Sequence, residues 1–332
     1  MTFFDDRAAS AKARLDDLAQ HLKTELGTDE QRVLGRDTCI YTVGSGGRGE
    51  MSEHSDADLF VVRVNRELVE EDDTLVREAI TRAFRQLALP KPSQDGGFLK
   101  MHASRSVCER MGTPEDDASN ALTVRMLLLL ESQVLLGSDA YDVLVDGVLE
   151  AYWKDAEGHD DDYQPFVLVN DIVRYWRILL LNYVAKNAAK ERELGPPKLK
   201  AERKLRVYKL RFSRCMTCFS ALARLLVLTS DGGVKKNDVR ALVHERPIER
   251  LLAVQKRAPA TGRHVDRMLE LYEAFLKNTA SAKSDLIELF CQPAYASARA
   301  QEGHEFADAM FELLQELGRS GRGRELFRHM VV

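Results

Sequence analysis

Thr38-Cys-Ile-Tyr-Thr-Val43, Gly44-Ser-Gly-Gly-Arg-Gly-Glu50 and Asp56-Ala-Asp-Leu-Phe-Val-Val-Arg-Val64 decide how this chain reads. The first piece is β-branched and aromatic, bounded by Asp37 and a glycine cluster, and predicts a strand. Asp58–Val64 is mostly apolar and predicts a second strand. Residues 44–55 between them read as a Gly/Ser-rich turn with a short helical piece. Upstream, Leu15, Leu18, Leu22 and Leu26 recur at helical spacing, with Gly27 as the stop. Downstream, an amphipathic helix is expected from about Glu67 to Leu87. A Pro/Gly loop (Pro90, Pro92, Gly96, Gly97) and a third strand over Phe98–Ala103 follow.

Beyond about residue 118 the strand texture disappears. Helical periodicity covers Asn120–Leu136, Gln164–Lys190, Lys204–Leu228, Asn237–Arg257, His264–Lys277 and Glu305–Leu317. At 332 residues the chain is about twice the usual single-domain size. The fold class expected is therefore α+β: a mixed-sheet domain over residues 1–118 and an all-α domain over 119–332.

Composition narrows the function classes. The chain is 45% hydrophobic and 30% charged, too apolar for a disordered protein. Lys and Arg number 48 against 52 Asp and Glu, a net charge of −4, so the molecule is no polycation built to coat nucleic acid. Five cysteines make no disulfide framework and fit a reducing, cytoplasmic setting. No apolar run approaches ~18–20 residues, and the N-terminal stretch lacks a basic segment leading an apolar core. Neither a membrane span nor a secretion signal is expected.

The chemistry concentrates at the turn. Gly44, Ser45, Gly46 and Gly47 end a strand and leave backbone N–H groups free, and glycine lets a bulky anion approach them. Asp56 and Asp58 stand two residues apart, so on an extended strand both project from one face. Two carboxylates there repel, and a divalent cation offsets that repulsion. A phosphate cradle beside paired carboxylates points to metal-assisted phosphoryl or nucleotidyl transfer. Arg48 is either a phosphate ligand or the ion partner of Glu50, Glu53 or another local acid. The turn is neither Gly-x-Gly-x-x-Gly nor a Walker A motif.

Gly44-Ser45 followed by Asp56-x-Asp58 resembles the signature of the nucleotidyltransferase superfamily with the DNA polymerase beta type of catalytic domain. Gly47-Arg48-Gly49-Glu50 and Ser55-Asp56-Ala57-Asp58-Leu59 look most like the branch containing PII uridylyltransferase and glutamine synthetase adenylyltransferase. The close match covers about twenty residues; Leu122–Glu131 is a weaker continuation. The resemblance implies that Gly44, Ser45 and Gly46 hold a nucleoside triphosphate and that Asp56 and Asp58 bind Mg²⁺ or Mn²⁺. It also implies transfer of a nucleoside monophosphate to a hydroxyl, with a protein among the candidate acceptors. Superfamily members carry a third carboxylate on a later strand. Phe98–Ala103 offers Lys100 and His102 but no acid, which leaves Asp95 as the nearest candidate.

The helical half adds charge. Arg174 to Arg214 holds thirteen Lys/Arg against three Glu, a basic face able to draw phosphate. Lys209 and Arg214 are the cations expected to close over the triphosphate, with Asp171 and Glu202 as local ion partners. Aromatic interleaving is thin there, so long nucleic acid is not an expected partner. Cys215-x-x-Cys218 sits among Phe212, Met216, Phe219 and Leu222 and reads as core rather than as a zinc or redox pair. Two other readings stand beside the transferase: a small-molecule or RNA-end nucleotidyltransferase, and a regulatory module that binds nucleotide without catalysis.

Overall fold

The computed structural model describes residues 2–90, 99–109, 111–159, 161–189, 196–230, 232–319 and 321–331. The chain divides into two compact units, Met1–Asp155 and Ala156–Val332. A mixed four-stranded sheet with helices occupies the N-terminal part, and a long all-helical region follows, so the protein is α+β.

The sheet runs in the order β3-β2-β1-β4, from β1 (Thr38–Val43), β2 (Asp58–Arg63), β3 (His102–Ala103) and β4 (Gln133–Leu136). β1 pairs antiparallel with both β2 and β4, and β2 pairs parallel with β3. Helix α1 (Phe3–Leu26) begins at a capping box between Thr2 and Asp5 and ends at Gly27, whose positive φ of 52° suits glycine. It buries Leu15, Leu18, Leu22 and Leu26. The short α2 (Glu30–Val33) leads into β1. α3 (Glu70–Gln86) lies beside α1, and both pack on Ile40, Ala57, Leu59 and Val61 of the sheet. On the other face Tyr41 stacks on Phe60 at 5.5 Å and meets Tyr141 edge-on. Tyr141 belongs to α7 (Ser138–Tyr152), which follows α4 (Ser104–Cys108), α5 (Pro114–Ala118) and α6 (Ala121–Glu131).

The structure departs from the sequence reading at several places. The helix expected over Asn120–Leu136 stops at Glu131; Ser132 turns extended and Gln133–Leu136 joins β1. A run of leucines satisfies helical and strand patterns equally, and the open edge of β1 decides between them. The turn that follows needs Gly137: its φ is +73°, and a Cβ there would lie 2.1 Å from the Thr38 carbonyl oxygen. This added strand carries the first unit to Asp155, past the composition break at 118/119. Of the expected third strand, residues 99–103 lie among the described ones; His102–Ala103 pairs with β2, whereas the Met101 N–H donates to Asp73 Oδ1 at 2.7 Å. No short helix forms within 44–55, which is turn and irregular chain.

The second unit comprises α8 (Phe166–Ala189), α9 (Pro196–Lys209), a π turn over Leu210–Arg214, α10 (Cys215–Ser230), α11 (Lys236–His244) and α12 (Pro247–Arg257). It continues with α13 (Gly262–Asn278), α14 (Lys283–Cys291), α15 (Pro293–Leu317) and α16 (Gly321–Val331). The single helix expected over 237–257 is broken before Pro247, which cannot donate inside a helix and starts α12 instead. Pro197–Ser230 is long and apolar enough to cross a membrane by composition, but 72% of its apolar window is buried inside the protein. Cys215 and Cys218 are part of that buried core.

Candidate functional site

Antiparallel register places the acids. Val43 stands opposite Asp58, Thr42 opposite Leu59 and Ile40 opposite Val61. Leu59 and Val61 enter the core beneath α1 and α3, so strand alternation sends Asp58 to the face carrying Phe60 and Val62. Asp58 is half-buried there, at the mouth of the hairpin. Gly44 continues directly from Val43 with φ +66°, and its Cβ position would lie 3.6 Å from Asp58 Oδ2. Carboxylate and glycine turn are therefore neighbours. Asp56 precedes β2 and is exposed; Ala57 between the two acids is fully buried in the same core as Leu59. Alternation thus extends beyond the ladder and keeps Asp56 on the Asp58 side.

The turn is folded tightly on itself. The N–H groups of Arg48, Gly49 and Glu50 donate to the carbonyls of Gly44, Gly46 and Ser45 at 3.0, 3.0 and 2.8 Å. Among the described residues the N–H groups of Ser45, Gly46 and Gly47 donate to no protein acceptor. Leading donors at a helix start are spare in the same way, although this turn leads into no helix. Two glycines are demanded by space. A Cβ on Gly46 would meet Thr42 Oγ1 at 2.4 Å, and one on Gly47 would meet the Glu131 carbonyl oxygen at 1.8 Å. Gly47→Ala therefore cannot keep the turn seated on the end of α6. We expect it to lower the melting temperature of the first unit, by about 1–3 kcal/mol of stability as for other overpacked sites, and circular dichroism melting checks it.

Arg48 has a structural task. It is only 6% exposed, and its guanidinium donates to Glu50 Oε2 at 2.7 Å and to Glu131 Oε2 at 2.5 Å. Of the two roles read from sequence, the local ion pair is the one formed: Arg48 fastens the turn to α6 rather than standing open to phosphate. Arg7 of α1 joins the same anchor, donating from Nε to the Glu50 carbonyl at 3.0 Å. Glu131 and Arg7 were not legible as site residues, since nothing local marks partners that lie 83 and 43 positions away.

The remaining candidates are placed as follows. Asp95 lies outside the described residues. His102 lies on β3 opposite Val62, its ring 5.9 Å from Phe60, and its Nε2 is buried with no hydrogen-bond partner. Burial, and then the charge of Lys100, lowers its pKa. Among the described residues no group of three or more His, Cys, Asp or Glu is gathered as a metal cage. Two carboxylates nevertheless suit Mg²⁺, which is commonly held by one or two acids together with phosphate oxygens and water. Lys209 ends α9, exposed, and half-buried Arg214 closes the π turn; both belong to the second unit. There Asp171 pairs with Arg174 at 3.6 Å and Glu202 with Arg206 at 3.1 Å.

Comparisons with protein-family models, with curated proteins and with solved structures give no match to this chain.

Proposed function

We propose that the first unit is a divalent-metal-dependent nucleotidyltransferase centre, moving a nucleoside monophosphate from a nucleoside triphosphate to a hydroxyl, with a protein as the acceptor class. One observation carries this reading: the Val43–Asp58 pair sets the Asp58 carboxylate against Gly44, so an acid and a turn with spare N–H donors share one place. Asp58 and Asp56 would hold Mg²⁺ or Mn²⁺, which supplies charge neutralisation and polarises the phosphorus under attack. The N–H groups of Ser45, Gly46 and Gly47 are suited to phosphate oxygens. In the transfer, the acceptor oxygen bonds the α-phosphorus, the bond to the bridging oxygen breaks, pyrophosphate leaves and the hydroxyl proton passes to water.

A second reading, nucleotide binding without transfer, is favoured by the lack of a third acid gathered with Asp56 and Asp58 among the described residues. Two measurements separate the readings. A thermal-shift series with the four nucleoside triphosphates, with and without Mg²⁺, is expected to show Mg²⁺-dependent stabilisation by at least one of them, because a ligand of the native state raises its melting point. α-Phosphate-labelled nucleotide is then expected to become covalently attached to a protein in lysate. Stabilisation without covalent label leaves the binding module, and no stabilisation by any nucleotide rejects both.

A further inference from the structure

The helical unit contains a cavity of its own, enclosing about 290 Å³. One wall is a single face of α9 continuing into the π turn: Lys200, Arg203, Lys204, Val207, Tyr208 and Arg211 recur at three- and four-residue steps. The opposite wall is the start of α15, where Ala296, Ser297 and Ala300 are small and leave the space open, with Arg299 beside them. Tyr183 of α8 and Phe290 of α14 supply aromatic sides.

Five cations thus surround one small space, and three of them stand apart from any carboxylate among the described residues. Among the described residues, no carboxylate pairs with Lys200, Lys204 or Arg211. Arg299 pairs with Glu302 at 2.6 Å and lies over the Tyr295 ring at 4.9 Å. Arg211 is held in place: its side chain passes over Gly303, where a Cβ would lie 3.0 Å from Arg211 Cδ. The π turn starts at Leu210, one residue before Arg211, and such turns recur at functional sites. Like charges crowded around a cavity repel, and an anion relieves the repulsion. Tyr208 is no donor to spare, because its hydroxyl donates to Glu302 at 2.9 Å and accepts from Asn278. Its ring, with those of Tyr183 and Phe290, offers flat apolar surface instead.

We propose that this cavity is a second ligand site, independent of the hairpin, that binds a phosphorylated compound with a planar ring, of mononucleotide size. Its volume lies at the small end of ligand pockets, which run from about 300 Å³ upward. The phosphate sits among Lys200, Lys204 and Arg211, and the ring lies on the aromatic side.

Titration calorimetry on the full chain tests this with AMP as the probe, and adenosine and inorganic phosphate as its separate halves. AMP is expected to bind with or without Mg²⁺, equally in the wild type and in Asp58→Asn, and about tenfold or more tighter than either half. The double variant Lys200→Glu/Lys204→Glu is expected to weaken AMP binding by about tenfold or more; should its melting temperature fall, Arg211→Gln carries the same expectation. The proposal is overturned by no AMP binding at millimolar concentration, or by binding that the charge variants leave unchanged. Binding lost in Asp58→Asn overturns it as well, and assigns the nucleotide to the hairpin alone.

Discussion

Asp58→Asn is expected to reduce covalent nucleotide transfer by roughly three orders of magnitude or more while leaving the fold intact. Metal stabilisation of a transferring phosphoryl group is worth several kcal/mol, and each ~1.36 kcal/mol is a decade of rate. Asn keeps the shape and hydrogen-bonding capacity of Asp but removes the charge that holds the ion. The position tolerates this exchange, because Asp58 is half-buried at the strand entrance rather than in the apolar core that Leu59 and Val61 enter. Labelled transfer and thermal melting, measured together, check both halves of the expectation. Glu53→Gln is the control: Glu53 is a nearby acid with an 82% exposed side chain, and its loss should leave the rate alone. A rate in Asp58→Asn within a few-fold of the wild type refutes the transferase reading.

The legible parts of this fold are those where local chemistry and tertiary environment agree. Thr38–Val43 and Asp58–Arg63 are strands because β-branched and apolar residues meet a glycine turn, and the sheet asks for the same thing. The C-terminal end of α1 is readable from Leu26-Gly27 for the same reason. Gln133–Leu136 was not readable, since what makes it a strand is the edge of β1, almost a hundred residues earlier. The neighbouring acids and glycines of the candidate site stood out because they are close in sequence. Its anchor did not: Arg48 looks the same on paper whether it faces phosphate or is buried between two glutamates. Only the arrival of Glu131 from α6 fixes its role. Likewise the basic stretch 174–214 read as one face, whereas part of it turns toward α15 and encloses a cavity.

The anchor makes the second large effect. Arg48→Met is expected to destabilise the first unit by about 3–5 kcal/mol, the cost of breaking a buried ion pair from one side. The side chains of Glu50 and Glu131 are 4% and 0% exposed, so without the guanidinium two buried carboxylates lose a hydrogen-bonded counter-charge. Against a typical total stability of about 5–15 kcal/mol this is a large share. Urea unfolding followed by Trp153 fluorescence in a Trp176→Phe background reads the first unit alone, since the chain has only these two tryptophans. The triple variant Arg48→Met/Glu50→Gln/Glu131→Gln separates charge from packing. It removes the orphaned charges and should recover most of the loss, as buried ion pairs exchanged for neutral groups commonly do. A phosphate-binding arginine would behave in the opposite way, weakening nucleotide binding while the unfolding curve stays where it was. The two roles of Arg48 therefore differ in which of two curves moves, and the distances to Glu50 and Glu131 say that it is the unfolding curve.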